Sequence, residues 1–253
     1  MRTRLIPSLT IFFFFLFFSG AARADHYIKR TKQMTQINSK NETVSTTDEH
    51  SASWISKDKF RQDEGDHTTT IIRLDREKLY HINHTDRTFS ALDLPLNLGD
   101  SLPPETRQIF QVMKMSSSIT KTSDTQSIKE WASQKYLVDI DISLMGMSMP
   151  MTMEIWVSKE TGINMKSFRL FYEALLSMNP FTTGLIEKFR DIEGYPVLTV
   201  ITMSVKGAKT NSREEVISIE DKKPPKGIYD IPEGYILVDY NPLDLGEGPP
   251  SKR

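Results

Sequence analysis

Most of the chain follows the hydrophobic alternation of β-strands. In residues 136–143 every second position is apolar, which is the two-residue period of a half-buried strand, and residues 151–157 are its predicted hairpin partner. Residues 25–101 contain short apolar runs between Asp, Gly and Asn clusters, which indicates an antiparallel meander with a long polar hairpin tip at residues 38–49. Further strands are predicted at residues 195–205, 213–219 and 227–231, with a turn at residues 206–209.

Three segments carry a helical pattern instead. In residues 164–178 the apolar side chains recur at i, i+3, i+4, i+7 and i+8, which places them on one helix face. Asn179 and Pro180 end this helix, and a third helix is predicted after Pro180, where Leu185, Phe189 and Ile192 share a face. The first helix is predicted to begin at the Pro103–Pro104 pair, which suits a first helical turn.

The order of these elements is strands, helix, hairpin, two helices and strands. Such separate runs predict an α+β fold in which helices pack on one face of an antiparallel sheet. The predicted domain is a single one, spanning residues 25–240. From residue 241 the composition changes to Pro, Gly and charged residues, so residues 241–253 are predicted to form a flexible C-terminal tail.

The first 24 residues have the three parts of a secretory signal peptide. Arg2 and Arg4 precede a 14-residue apolar stretch rich in Phe, and Ala22 and Ala24 supply the small residues of a cleavage site. A stretch of this length is short for a membrane span, which needs about 20 residues. We therefore expect cleavage between Ala24 and Asp25, export to the periplasm, and no stable membrane span in the mature chain.

Composition excludes several function classes. The chain has 253 residues, with 32 Lys and Arg against 33 Asp and Glu, so it lacks the basic footprint of a nucleic-acid-binding protein. It has no cysteine, which excludes disulfides, thiolate metal sites and a cysteine nucleophile.

Two similar passages carry a family resemblance. Residues 53–57 (SWISK) and 155–159 (IWVSK) each place a Trp-bearing strand before Ser-Lys and an acidic turn residue. Together with residues 70–80 and 232–235, they form a pattern that resembles a family of uncharacterised periplasmic proteins, a domain of unknown function. That family in turn looks like the outer-membrane lipoprotein carrier superfamily, whose members form an open antiparallel half-barrel closed by helices.

The resemblance implies a concave apolar cavity suited to an acyl chain. We expect no cofactor. We expect about three helices to close the concave side of a strongly curved half-barrel. An open ligand site of this kind has a volume of roughly 300–1,000 Å³ and mostly apolar walls. Six side chains are predicted to line or border it: Trp54, Phe60, Trp156, Phe168, Phe171 and Leu175.

The methionines are the most unusual local feature. Met145, Met147, Met149, Met151 and Met153 alternate with other residues, so on one continuous strand their thioethers would share a face. Soft thioethers are ligands for Cu(I), which makes Met147, Met149 and Met151 a candidate copper site. The other interpretation is apolar lining, since flexible Met fills adaptable surfaces. A turn near residues 146–150 would break the row.

The remaining chemistry-bearing residues form no catalytic motif. His81 and His84 are three residues apart near a strand end, and Asp139 and Asp141 share a strand face that is predicted to be solvated. Neither a nucleophile elbow nor a phosphate-binding loop occurs in the sequence. We therefore expect no enzymatic activity and no metal cofactor.

Three functional hypotheses follow. The first is a periplasmic binding or carrier-like protein for an apolar ligand such as an acyl chain. The second is a structural or interaction protein of the cell envelope without a ligand. The third is a Met-based copper-binding protein.

Overall fold

The computed structural model describes residues 24–96, 114–144, 146–178, 182 and 185–240. The described chain is built mainly of strands. They are β1 (Asp25–Ile37), β2 (Thr43–Ile55), β3 (Lys59–Glu64), β4 (Thr68–Arg73), β5 (Lys78–Asn83), β6 (Thr88–Asp93), β7 (Lys114–Ile128), β8 (Trp131–Leu144), β9 (Met147–Ser158), β10 (Tyr195–Val205), β11 (Ala208–Lys222) and β12 (Ile236–Leu237). The α-helices among the described residues are α1 (Met165–Ser177) and α2 (Ile186–Phe189).

All twelve strands belong to one open sheet in the order β12-β6-β5-β4-β3-β2-β1-β11-β10-β9-β8-β7. Neighbouring strands are antiparallel except β12 and β6, which are parallel. The first strand therefore lies in the middle of the sheet, paired with β2 on one side and with β11 on the other. This pairing joins the N-terminal meander to the C-terminal strands.

The predicted α+β half-barrel closed by about three helices is wrong. The described protein is mostly β, in a single sheet that does not close, with two helices. The helix predicted from Pro103 lies outside the described residues. The third predicted helix is present only as the single turn of α2, although Leu185, Phe189 and Ile192 are buried together as expected.

The discrepancy arises because long strands in this protein are polar. The predicted hairpin tip at residues 38–49 is mostly strand, since β1 extends to Ile37 and β2 begins at Thr43. β7 was not predicted at all, and its pattern is largely exposed Ser, Thr and Lys. Ladder hydrogen bonds satisfy the backbone whatever the side chains are, so a strand can form from polar residues. Such a strand has no apolar alternation that could reveal it in the sequence.

α1 confirms the helix predicted at residues 164–178. Asn164 is the N-cap, and its side-chain oxygen accepts hydrogen bonds from the backbone N–H groups of Lys166 and Ser167 at 3.0 and 3.2 Å. Phe168 and Phe171 are buried beneath the helix, while Leu170 on the outer face is 46% exposed. The period of 3.6 residues thus selects the face that packs on the sheet.

The buried side chains form three clusters. Cluster 1 joins the α1 side chains to the central strands and includes Ile28, Phe60, Phe171 and Tyr195. Cluster 2 joins α2 to β8 and β9 and includes Val138, Ile155 and Phe189. Cluster 3 consists of Trp54, Ile71, Ile82 and Tyr229, with partly buried aromatic side chains around it.

Residues 227–231, which the sequence predicted to be a strand, form a turn. Pro224 and Pro225 precede it, and neither has an N–H group to donate to a ladder. Tyr229 from this turn is buried in cluster 3, where its hydroxyl donates to Asp25 Oδ2 at 2.7 Å.

Candidate functional site

Five of the six predicted cavity residues meet at cluster 1. Phe60, Trp156, Phe168 and Phe171 are buried there, and Leu175 packs against them partly buried. The rings of Phe60 and Phe171 stack with their centroids 5.5 Å apart. Trp156 also lies beneath the ammonium group of Lys135, 5.4 Å from the ring centroid.

Trp54 belongs to a different cluster. Its neighbour Ile55 pairs with Phe60 across β2 and β3, so Ile55 and Phe60 share a face of the sheet. Successive strand residues point to opposite faces, which places Trp54 on the other side. There it contacts Tyr27, with ring centroids 4.6 Å apart, and it belongs to cluster 3.

A small apolar cavity lies between α1 and α2. Its walls include Ile155, Phe168, Tyr172, Leu176 and Phe189, and its volume is about 30 Å³. Ligand pockets usually measure roughly 300–1,000 Å³, so this space is about tenfold too small for a typical ligand. An acyl chain requires more room, so α1 or α2 would have to move outward before a chain could enter at this point.

A charged rim borders this cavity. Arg190 bonds to Glu173 at 2.8 Å and to Glu187 at 2.8 Å, which ties the end of α2 to α1. The pKa of the Arg190 guanidinium is raised above its ordinary value, and its hydrogen bond to Glu173 is the largest cause.

A larger and more polar groove, of about 470 Å³, follows the edge strand β7. Lys121, Tyr136, Lys159 and Glu193 are among its lining residues. The Glu193 carboxylate bonds to Lys159 at 2.6 Å and lies 4.0 Å from Lys121. The hydrogen bond from Lys159 lowers the pKa of Glu193, so this carboxylate stays ionised and paired.

The methionine row is continuous on β9. The chain turns between Leu144 and Met147, with Gly146 in the left-handed region at φ +79°, so Met147, Met149, Met151 and Met153 lie on one strand after the turn. Met153 pairs with Val138, Met151 with Ile140 and Met149 with Ile142. The hairpin register thus pairs odd positions with even ones, and it places thioethers and aliphatic side chains on the same face.

Register also adds a methionine that sequence reasoning missed. Met203 on β10 lies directly opposite Met151, and Ile201 lies opposite Met153. We define the methionine face as the side chains of this surface on β7 to β10, namely Met115, Ile119, Ile142, Met149, Met151, Met153, Ile201 and Met203. Only a known register between β9 and β10, about 50 residues apart, could have revealed Met203.

The methionine face is only partly covered. Met203 is 36% exposed, and Met149, Met151 and Met153 are of intermediate exposure. At its inner end Met151 and Met153 pack against cluster 2, to which Tyr172 and Leu176 of α1 also belong as partly buried members. The face therefore begins beside the helices and extends outward along four strands.

A buried polar network lies beneath α1. Arg30 Nη1 donates to Ser53 Oγ at 2.6 Å, Nη2 donates to the Tyr195 hydroxyl, and Nε lies 3.4 Å from Glu214. Burial lowers the pKa of Arg30, while the nearby Glu214 carboxylate raises it. Burial also raises the pKa of Tyr172, so its hydroxyl stays neutral. Arg30, Ser53 and Tyr195 thus pair with one another in the core.

The other candidate groups are engaged elsewhere. Asp139 and Asp141 are exposed and accept hydrogen bonds from Thr152 at 3.2 Å and from Ser148 at 2.8 Å. His84 bonds to Thr69 and Tyr235, both at 2.8 Å. In the part of the chain that the structure describes, no three His, Cys, Asp or Glu side chains converge as a metal site would require. Among these residues, no helix is both long and apolar enough to cross a membrane.

Comparison with curated proteins gives no match. A family model described as a domain of unknown function, DUF4412, matches residues 34–235, from β1 to the segment before β12. Because the match covers most of the sheet and both helices, the chain belongs to the DUF4412 family.

Proposed function

We propose that this protein is a non-catalytic binding or carrier-like protein that holds an apolar, chain-like ligand on the methionine face. The observation that carries the proposal is the row of thioethers on β9, joined by Met203 and by aliphatic side chains from β7, β8 and β10. A contiguous, half-exposed apolar surface of this kind is typical of a binding site.

The shape of the row favours an extended acyl chain. From Met147 to Met153 the strand spans about 20 Å, at a rise of about 3.4 Å per residue. Thioether side chains are unbranched and polarizable, so they adapt to a flexible chain better than branched side chains do. The inner end of the row reaches Tyr172 and Leu176 of α1, where the small cavity lies.

Titration with a fluorescent fatty acid tests this proposal. The triple variant Met149→Gln, Met151→Gln, Met203→Gln should weaken binding at least about tenfold, since that loss corresponds to only about 1.4 kcal/mol. The matched control replaces Ser148, Thr152 and Glu154 by Gln on the opposite face of the same strand, and its affinity should stay within about twofold. Absence of saturable binding to the wild type would favour a ligand-free interaction protein.

Copper binding is the second candidate, and the pairing of Met151 with Met203 favours it. A thioether directly opposite another, with Met149 and Met153 diagonal to it, resembles a set of soft ligands. Under the acyl-chain proposal, the protein forms no stoichiometric Cu(I) complex that withstands a strong chelator. A one-to-one complex that is lost on replacing Met147, Met149 and Met151 by Leu would reverse the order of the two candidates.

The proposal includes export to the periplasm with removal of residues 1–24. The position of Asp25 supports this, because it is the first residue of the central strand β1 and accepts the hydrogen bond of the Tyr229 hydroxyl. N-terminal sequencing of protein from the periplasmic fraction should begin at Asp25. An intact mass that includes residues 1–24, recovered from the membrane fraction, would contradict this part of the proposal.

A further inference from the structure

We propose that residues 235–240 form a latch that holds the C-terminal end of α1 against the sheet and thereby limits access from the methionine face to the small cavity beneath α1. The inference rests on the proposed function for the ligand, but the contact between the latch and α1 does not depend on it. Three features of the described residues carry the argument: the path of the segment, the partner of Tyr240, and the position of α1.

The segment passes around the edge of the sheet. Ile236 N–H donates to the Arg87 carbonyl at 3.0 Å, and Val238 N–H donates to the Phe89 carbonyl at 2.9 Å, which adds β12 beside β6. Before this strand, Tyr235 packs against cluster 3 and bonds to His84. After it, Tyr240 packs against cluster 1, so a span of six residues contacts both cluster 1 and cluster 3.

Tyr240 contacts α1 directly. Its hydroxyl donates to the Met178 carbonyl at 2.9 Å, and its ring lies edge-on to His81 with centroids 6.1 Å apart. The last carbonyl groups of a helix have no partner within the helix, so an outside donor stabilises this end. Burial raises the pKa of Tyr240, which keeps the hydroxyl protonated as a donor.

Entry of a chain beneath α1, beyond the methionine face, requires this helix to move. Phe168, Tyr172 and Leu176 of α1 line the cavity, whose volume of about 30 Å³ is too small for a chain. Tyr172 and Leu176 also contact the cluster that borders the methionine face. A contact that fixes the end of α1 therefore opposes the widening that would let a chain extend from the methionine face beneath the helix.

Hydrogen exchange of the Tyr240→Phe variant tests the latch without any ligand. The ring and its packing are retained, and only the bond to the Met178 carbonyl is lost. We expect exchange protection in peptides covering residues 170–178 to fall about two- to tenfold, as loss of one neutral hydrogen bond predicts. Tyr240→Ala, which also removes the ring, should lower it further.

Tyr235→Phe is the matched control, because it removes one hydroxyl hydrogen bond from the same segment without touching α1. It should leave the exchange of residues 170–178 unchanged. Unchanged α1 exchange in Tyr240→Phe, or an equal effect of both variants, would overturn the latch.

Stopped-flow association of the fluorescent fatty acid then tests the link to binding. Tyr240→Phe should associate about two- to tenfold faster than wild type, whereas Tyr235→Phe should not differ from it. If the wild type does not bind the probe, the proposed function fails while the exchange result still decides the latch. If Tyr240→Phe clearly loses exchange protection in α1 but associates with the fatty acid at the wild-type rate, the latch does not limit access to the cavity.

Discussion

Adjacent residues in this protein meet opposite environments. Phe171 is fully buried in stacked contact with Phe60, whereas Leu170, one position earlier on α1, is 46% exposed. Trp54 and Ile55 likewise belong to clusters on opposite faces of the sheet. Energetic importance at the residue scale therefore depends on which face is covered, not on how apolar the side chain is.

Phe171→Ala should lower the free energy of unfolding by about 3–5 kcal/mol, because a large buried ring is replaced by a cavity. Leu170→Ala on the same helix is the control and should change it by no more than about 0.5 kcal/mol. Urea denaturation followed by Trp fluorescence measures both variants. A small loss for Phe171→Ala would mean that neighbouring side chains collapse into the space.

His84 should make stability decrease toward acid pH. The pKa of His84 lies below the ordinary value of 6.5, mainly because of burial and also because of the Arg61 guanidinium. The Asp63 carboxylate opposes this shift but does not reverse it. The Thr69 hydroxyl donates a hydrogen bond to Asp63, so its oxygen accepts one from His84 Nε2–H. The other ring nitrogen of His84, Nδ1, accepts a hydrogen bond from the Tyr235 hydroxyl. As the pH falls, His84 takes up its proton at a higher pH in the unfolded chain than in the folded one. The stability that neutral His84 contributes above pH 6.5 is therefore lost as the pH falls below that value.

Thermal unfolding of His84→Gln and wild type between about pH 7.5 and 5.5 measures this effect. The variant should lose less stability across that interval than the wild type loses. His50→Gln, at an exposed position on β2, should retain the wild-type pH dependence. Parallel curves for His84→Gln and wild type would exclude His84 as the titrating group.

At the scale of elements, local signals define α1, whereas pairing defines the sheet. The Asn164 cap and the apolar stripe of α1 act within one segment, so its bounds were predicted closely. The turn at Lys206 and Gly207, which have φ values of +48° and +83°, was also predicted from local composition. β1 depends partly on β11, which is distant in sequence, whereas β2 and β7 pair with strands next to them in the chain. The polar stretches of all three strands were missed because they lack an apolar alternation.

Removal of the α1 cap should destabilise the protein. Asn164→Ala leaves the N–H groups of Lys166 and Ser167 without their acceptor and should cost about 1 kcal/mol of the free energy of unfolding. Asn164→Asp retains an acceptor and places a negative charge at the helix N-terminus, so it should remain close to wild type. Chemical denaturation compares the three proteins, and equal losses in both variants would argue against the cap.

On the scale of the whole molecule, β1 and β11 join two groups of strands into one sheet. Trp54 reports on the N-terminal group, and Trp131 and Trp156 report on the C-terminal group. Since cluster 1 contains residues from both groups, we expect the sheet to unfold as one cooperative unit.

Two tryptophan variants test this cooperativity. Trp131→Phe with Trp156→Phe leaves only the N-terminal reporter, and Trp54→Phe leaves only the C-terminal ones. Within each variant, the fluorescence and far-UV circular dichroism transitions in urea should coincide. A fluorescence transition that separates from the circular dichroism transition in either variant would show that the two groups unfold independently.

The sequence alone determined the features that arise within short segments. It determined α1 and its apolar stripe, the β10–β11 turn, the alternation of the methionines, and membership of a family of unknown function. These depend on side-chain spacing and backbone preference, which neighbouring residues set among themselves.

Only the tertiary structure decided which residues share a surface. The alternation of residues along a strand does not tell which of its two faces is buried until the register and the covering elements are known. The structure therefore decided that Trp54 lies apart from Phe60 and that Met203 lies beside Met151. The same limit applied to Tyr240, whose contact with Met178 links positions 62 residues apart. Pairing and packing between distant segments made these choices, because no local preference distinguishes one face of a strand from the other.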